Sequence, residues 1–174
     1  LIEENIDCTF MLSDISNPEK YKLDLLKNFN IDILELLHVR SFLDHNRIYS
    51  KSNKNHSTPI LQSSCAYVSK GNYLKSKDVT SNLIDHFISW KKYIYKHGLL
   101  ILELHGLNTN LSVKNKSKTP TIAYEATHGY SDQYIVEYEV FLECAKEAGL
   151  EESKDYSKLF PNEKLVNISL NLFK

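Results

Sequence analysis

The run Leu99–His105, LLILELH, constrains this chain more than any other stretch. It is apolar at nearly every position and is flanked by Gly98 and Gly106. A strand with one wet face alternates apolar and polar residues, whereas a strand covered on both faces does not. The run therefore reads as a buried strand that needs helices on either side of its sheet.

Neighbouring segments supply those helices. Asp78 is the expected cap of a helix in which Val79, Leu83, Phe87, Trp90 and Ile94 recur at steps of three and four, with Gly98 as its stop. Ser131 to Ala148 reads as a second helix, with Tyr134, Tyr138, Phe141, Leu142 and Ala145 on one face and Gly149 closing it. Ser131 or Asp132 is its expected cap. A third helix opens at Pro18 behind Asn17 as cap, with Tyr21, Leu25 and Leu26 as its apolar face. Further strands are expected at Cys8–Asp14 (CTFMLSD), at Leu36–Phe42, and in the closing KLVNISLNLFK. AYVSKGNYL suits a hairpin around Gly71, and residues 46–60 and 106–129 read as long polar connections. Strands alternating with helices argue for a mostly parallel α/β sheet in one domain, residues 1–174.

Composition narrows the classes of function. The hydrophobic share is 42% and the charged share 25%, as in a soluble globular chain. A net charge of -1 gives no field to recruit nucleic acid or an anionic membrane, so neither is expected as a partner. No apolar run reaches the roughly 18 residues of a spanning helix, and no secretory pattern opens the chain. Cys8, Cys65 and Cys144 are scattered without a CxxC, which fits reduced thiols in a cytoplasmic protein. LIEENIDCTFMLSD opens without Met and in mid-pattern, as expected of a piece of a longer protein.

Open α/β sheets bind ligands outside the carboxyl ends of their strands. Here those ends carry Ser13, Asp14 and Ile15; Asp44, His45, Asn46 and Arg47; and Glu103, His105 and Gly106. Asp14 could accept hydrogen bonds from a ligand or simply end its strand. Adjacent Asp44 and His45 could hold a divalent metal, do acid/base work, or form a plain surface pair. His105 could act at the same edge or be a structural strand-end histidine. His128 and Gln133, in EATHGYSDQY, add further ligand atoms. No spacing matches a zinc signature. The five glycines form no GxG pair, so a nucleotide-like cofactor would need a glycine loop from residues beyond these.

Four stretches in this order, LSDISNPEKY, LLHVRSFLDHNR, KYIYKHGLLILELHGL and ATHGYSDQYIVEYEVFLECAKEAGL, resemble a known family. They look like the later part of a class I S-adenosylmethionine-dependent methyltransferase. More narrowly, they resemble the C-methyltransferase domains of polyketide synthase loading modules of the apratoxin type, some of which depend on iron. LDHNR with THGYSDQY is the specific signal. The resemblance implies a Rossmann-like sheet, mostly parallel with an antiparallel edge, whose N-terminal strands are missing here. It implies S-adenosylmethionine as methyl donor, with Asp14, Ile15 and Asp44 near it. It implies iron or manganese held by His45 and Gln133, with His45, His128 and His105 as the candidate acid/base residues. The expected substrate is a malonyl-type acyl thioester, and the expected partners are an acyl carrier protein or other polyketide synthase domains. The competing expectations are a metal-free O- or N-methyltransferase for a small molecule, and a non-catalytic α/β module that has lost donor binding.

Overall fold

A computed structural model describes residues 7–54, 56, 61–120, 123, 127 and 130–174. Helix α1 (Pro18–Phe29) starts as the sequence requires, with the Asn17 side chain accepting from the Lys20 N–H at 3.0 Å. Strand β1 covers His38–Ser41. Strands β2 (Tyr67–Ser69) and β3 (Asn72–Leu74) form the expected hairpin. Its turn residues Lys70 and Gly71 have φ of 49° and 78°, the left-handed pair that a two-residue hairpin turn needs. Helix α2 (Ser76–Ile94) leads to strand β4 (Leu99–Leu104). Short helix α3 (Thr109–Lys114), helix α4 (Tyr138–Glu147) and strands β5 (Lys158–Asn162) and β6 (Leu165–Phe173) follow.

The sheet has the order β1-β4-β6-β5. β1 and β4 pair parallel, and β6 runs antiparallel to both β4 and β5. Three strands therefore point one way and β6 opposes them. This is the mixed α/β sheet, Rossmann-like with an antiparallel edge, that the resemblance implied.

Four expectations change. Cys8–Asp14 forms no strand; Phe10 and Leu12 are 82% and 98% exposed. An apolar run becomes a strand only when another strand pairs with its backbone, and among the described residues none does. Helix α2 begins at Ser76 with Lys75 at the cap position, so Asp78 sits inside the first turn, where its charge still favours the helix N-terminus. Helix α4 begins at Tyr138, not at Ser131. Tyr134, Ile135 and Val136 are all buried in a row, which one helix face cannot achieve; they run extended instead, after a left-handed turn at Asp132 (φ 50°).

The fourth change concerns β4 itself, which alternates buried and partly exposed residues. One face of the sheet carries Leu99, Ile101 and Glu103, with Phe173, Asn171 and Ser169 paired to them from β6. It packs into the core, where Phe141 of α4 lies with ring centroids 5.4 Å from Phe87 of α2 and 6.0 Å from Phe173. The other face carries Val39, Leu100, Leu102, Leu104, Ile168, Leu170 and Leu172, none of them fully buried. The apolar character of LLILELH thus reflects a leucine face left partly open beside a buried face that includes polar groups.

Candidate active site

The carboxyl ends of β1 and β4 are bridged by two pieces of chain. β1 turns at Phe42 (φ 55°) into a 3-10 turn over Asp44–Asn46, which buries both Asp44 and His45. The extended segment Gln133–Glu137 crosses these ends as a strap. The Tyr134 N–H donates to the His45 carbonyl at 2.8 Å, and the Gly106 N–H to the Val136 carbonyl at 3.2 Å. Buried Arg47 clamps turn and strap to α2, donating to the Asn82 side chain (2.8 Å) and the Asp44 (2.9 Å) and Val79 (3.1 Å) carbonyls. Its charge also lies 5.6 Å from the centre of the Tyr134 ring.

His45 is gripped from both sides. Glu103 accepts from the His45 ring at Nδ1 (2.5 Å), from the His45 backbone N–H (3.1 Å) and from the Leu104 N–H (2.7 Å). On the far side of the ring, Asn46 Nδ2 lies 3.1 Å from Nε2. The same Nδ2 donates to the Phe42 carbonyl at 3.1 Å, which can only accept and so fixes the orientation of the amide. Nε2 therefore accepts from Asn46, and the ring proton sits on Nδ1. Asn46 Oδ1 in turn accepts from Gln133 Nε2 at 3.2 Å. The structure thus joins His45 and Gln133, 88 positions apart in the chain numbering (133 less 45), through one carboxamide. Gln133 reaches it from the strap and not from the first turn of a helix.

Asp44 turns the opposite way. It is 1% exposed and bonds Arg40 Nη1 at 2.6 Å and His86 Nε2 at 3.0 Å. Burial opposes its charge, but Arg40 and the His86 hydrogen bond overcome this and hold the carboxyl well below its usual range. Arg40 also stacks 4.2 Å over the Trp90 ring. Asp44 Oδ2 and Arg40 Nη2 are buried with no hydrogen-bond partner among the described residues.

The remaining candidates are spread around this centre. Asp14 and Ile15 line a pocket of about 440 Å³, together with Tyr21, Arg40, Leu43 and Trp90. Asp14 is exposed and accepts from the Ser16 N–H at 2.8 Å, while the Ile15 carbonyl accepts from Trp90 Nε1 at 2.8 Å. Leu43 leads from this pocket straight into the turn that holds His45. His105 is completely buried. Its Nε2 lies 2.8 Å from Ser169 Oγ, and burial pushes its pKa down to about 3, so the ring is neutral. It supports the strap and does not face an opening. His128 lies outside the described residues. Cys144 is buried, and burial pushes its thiol up to about 12.

Among the described residues no three His, Cys, Asp or Glu side chains gather as a metal cluster, and no helix is long and apolar enough to cross a membrane. A model of the AprA MT2-like domain family matches residues 1–171. The chain belongs to the AprA MT2-like domain family. It is therefore a methyltransferase domain of the type that the four stretches resembled. No curated protein matches the chain.

Sequence reasoning gave no task to Glu103, Asn46 or Arg47, although all three stood at the strand ends. Glu103 did carry a signal, because it is the one charge in LLILELH and a charge in a covered strand must have a partner. Asn46 carried none, since an asparagine after a strand is ordinary loop chemistry.

Proposed function

We propose that this AprA MT2-like domain transfers a methyl group from S-adenosylmethionine to the α-carbon of a malonyl-type thioester, carried on an acyl carrier protein in polyketide biosynthesis. The observation behind this is the convergence of His45 and Gln133 on Asn46 at the carboxyl ends of β1 and β4. Donor binding is assigned to the pocket of about 440 Å³, with Asp14 and Ile15 at its rim. Asp44 does not line this pocket; its carboxylate is committed to Arg40, which does, and to His86, so its part is to hold the turn.

The residues fit a divalent iron or manganese ion. His45 Nε2 carries a lone pair that an ion would take over from the Asn46 N–H, its Nδ1 is backed by a carboxylate as metal-bound histidines commonly are, and Gln133 brings an amide beside it. His45 and Gln133 would hold such an ion as two neutral donors. Such an ion supplies Lewis acidity at the substrate's carbonyl oxygens, which favours the enolate form. The chain's own part is positional. The turn fixes His45, the strap brings Gln133, and Arg47 ties both to α2, so that the acceptor carbon can be held in line with the donor methyl.

A second reading is favoured by the Glu103–His45 pair: a metal-free methyltransferase in which Nε2 takes the acceptor's proton. One set of assays separates the two in the full-length protein. The metal reading expects His45→Ala and Gln133→Ala each to lower Mn²⁺ binding and methyl transfer by at least about tenfold, with chelators silencing the wild type. Metal content and activity that both survive the two substitutions would sink the site assignment. Activity indifferent to chelators but lost in His45→Ala would favour the base reading.

A further inference from the structure

We infer that the far end of the strap forms a second site, in which Glu137 and Glu139 hold a hard divalent cation apart from the His45 centre. Gln133 opens the strap and Glu137 closes it. Glu137 is 4% exposed. Its Oε1 accepts from the Ser64 backbone N–H and from Ser64 Oγ, both at 2.7 Å. Its Oε2 is buried with no hydrogen-bond partner among the described residues. A buried carboxyl oxygen left in this way is costly, and folded proteins complete such groups with a donor or an ion.

Helix α4 does not explain this carboxyl. Glu137 stands at the cap position, where an acceptor side chain commonly takes a free N–H of the first turn, yet it makes no such bond. It turns instead to Ser64, whose hydroxyl also accepts from the Thr109 N–H at 3.3 Å. The chain before β2, the chain after β4 and the start of α4 therefore meet here. They enclose a cavity of about 230 Å³, with Glu137, Glu139, Gln62 and Asn108 as its polar walls. No Lys, Arg or His among the described residues lines it, so two acidic side chains face it without a cationic partner. Asn108 Oδ1 accepts from the Leu111 N–H at 3.0 Å, which fixes the amide and leaves its oxygen a second lone pair. Carboxyl and carboxamide oxygens, with no imidazole or thiolate among them, suit calcium or magnesium better than iron or zinc. Calcium fits best, because it takes about six to eight oxygens in adaptable geometry and fills the remaining positions with water.

The test is Ca²⁺ titration calorimetry on the full-length protein at pH 7, with urea unfolding in the presence and absence of Ca²⁺. Wild type is expected to bind Ca²⁺ with a Kd of roughly 0.1–1 mM and to gain in urea midpoint. Glu137→Gln should weaken that binding by at least about tenfold and lose the Ca²⁺-dependent gain. Glu139 is exposed, so Glu139→Gln gives a second readout that does not disturb the interior; it should weaken binding by about threefold or more. His45→Ala should leave Ca²⁺ binding unchanged, whatever it does to methyl transfer. Ca²⁺ binding that is absent in wild type, or equal in wild type and both Glu variants, would overturn the inference. So would a loss of Ca²⁺ binding in His45→Ala, which would merge the two sites. A midpoint raised by methylammonium but by neither Ca²⁺ nor Mg²⁺ would overturn the metal and give the cavity to an organic cation.

Discussion

His105 shows what burial does to a single titratable side chain. Its ring is enclosed by Ser169, the Val136 carbonyl and the rings of Tyr138 and Phe141, with ring centroids 5.3 and 5.2 Å away. An unfolded chain takes up a proton on this histidine as the pH falls through about 6.5. The folded chain resists that proton until about pH 3. The contribution of His105 to stability is therefore complete above about pH 6.5 and lost as the pH falls toward 3. The slope reaches about 1.4 kcal/mol per pH unit. His38 and His86, whose pKa values burial also lowers, act in the same direction. Urea unfolding at pH 7 and pH 5 measures this. His105→Gln should be less stable than wild type at pH 7, but should lose less between the two values; equal losses would show that His105 does not titrate as described. Of the site residues, His45 was legible in the sequence as a ligand type at a strand end and Gln133 as one in the EATHGYSDQY loop, and the resemblance paired them. That Asn46 joins them was not, because nothing in either segment records which amide faces which ring.

At the scale of elements, the turn at Gly98 decides how β4 enters the sheet. Its φ is 99°, and a Cβ there would come within 2.8 Å of the Phe173 carbonyl oxygen and 2.9 Å of Leu172 Cδ1. The oxygen belongs to backbone at the end of β6 and cannot swing aside as a flexible side chain would. Gly98→Ala should therefore destabilise by about 1–3 kcal/mol, seen as a lower urea midpoint at unchanged slope. An unchanged midpoint would show that β6 can shift without cost. Glycine at this helix end, the Asn17 cap and the Lys70–Gly71 turn were readable because each depends on a few adjacent residues. The start of α4 was not readable. The hydrophobic spacing from Tyr134 onward fits a helix equally well, and the choice of an extended strap depends on bonds to Gly106 and His45, which lie far away in sequence.

For the molecule as a whole, the two faces of the sheet divide the polar and apolar residues in an unusual way. The partly open face holds the leucines, while the covered face holds Ser169 and Asn171, both fully buried. A line of hydrogen bonds runs along it from His105 to Ser169 (2.8 Å), on to Asn171 (2.5 Å) and then to Glu152 (2.6 Å). The 174-residue chain alone should bind hydrophobic dyes and self-associate through the leucine face. Val39→Lys, at a position 63% exposed, should reduce that association in sedimentation velocity without lowering the urea midpoint; association that does not respond would locate it elsewhere. Fold class was legible because the alternation of strands and helices survives any assignment of faces. Which face turns inward was not, because LLILELH is apolar on both. The same division sets up a rivalry between registers. A one-residue slip of β6 would turn Leu170 and Leu172 inward and Ser169 and Asn171 outward. Burial of Leu170 and Leu172 favours the slipped sheet, whereas the polar line and the core ring of Phe173, which the slip would turn outward, oppose it. The register of β6 is then held by buried hydrogen bonds as well as by hydrophobic burial.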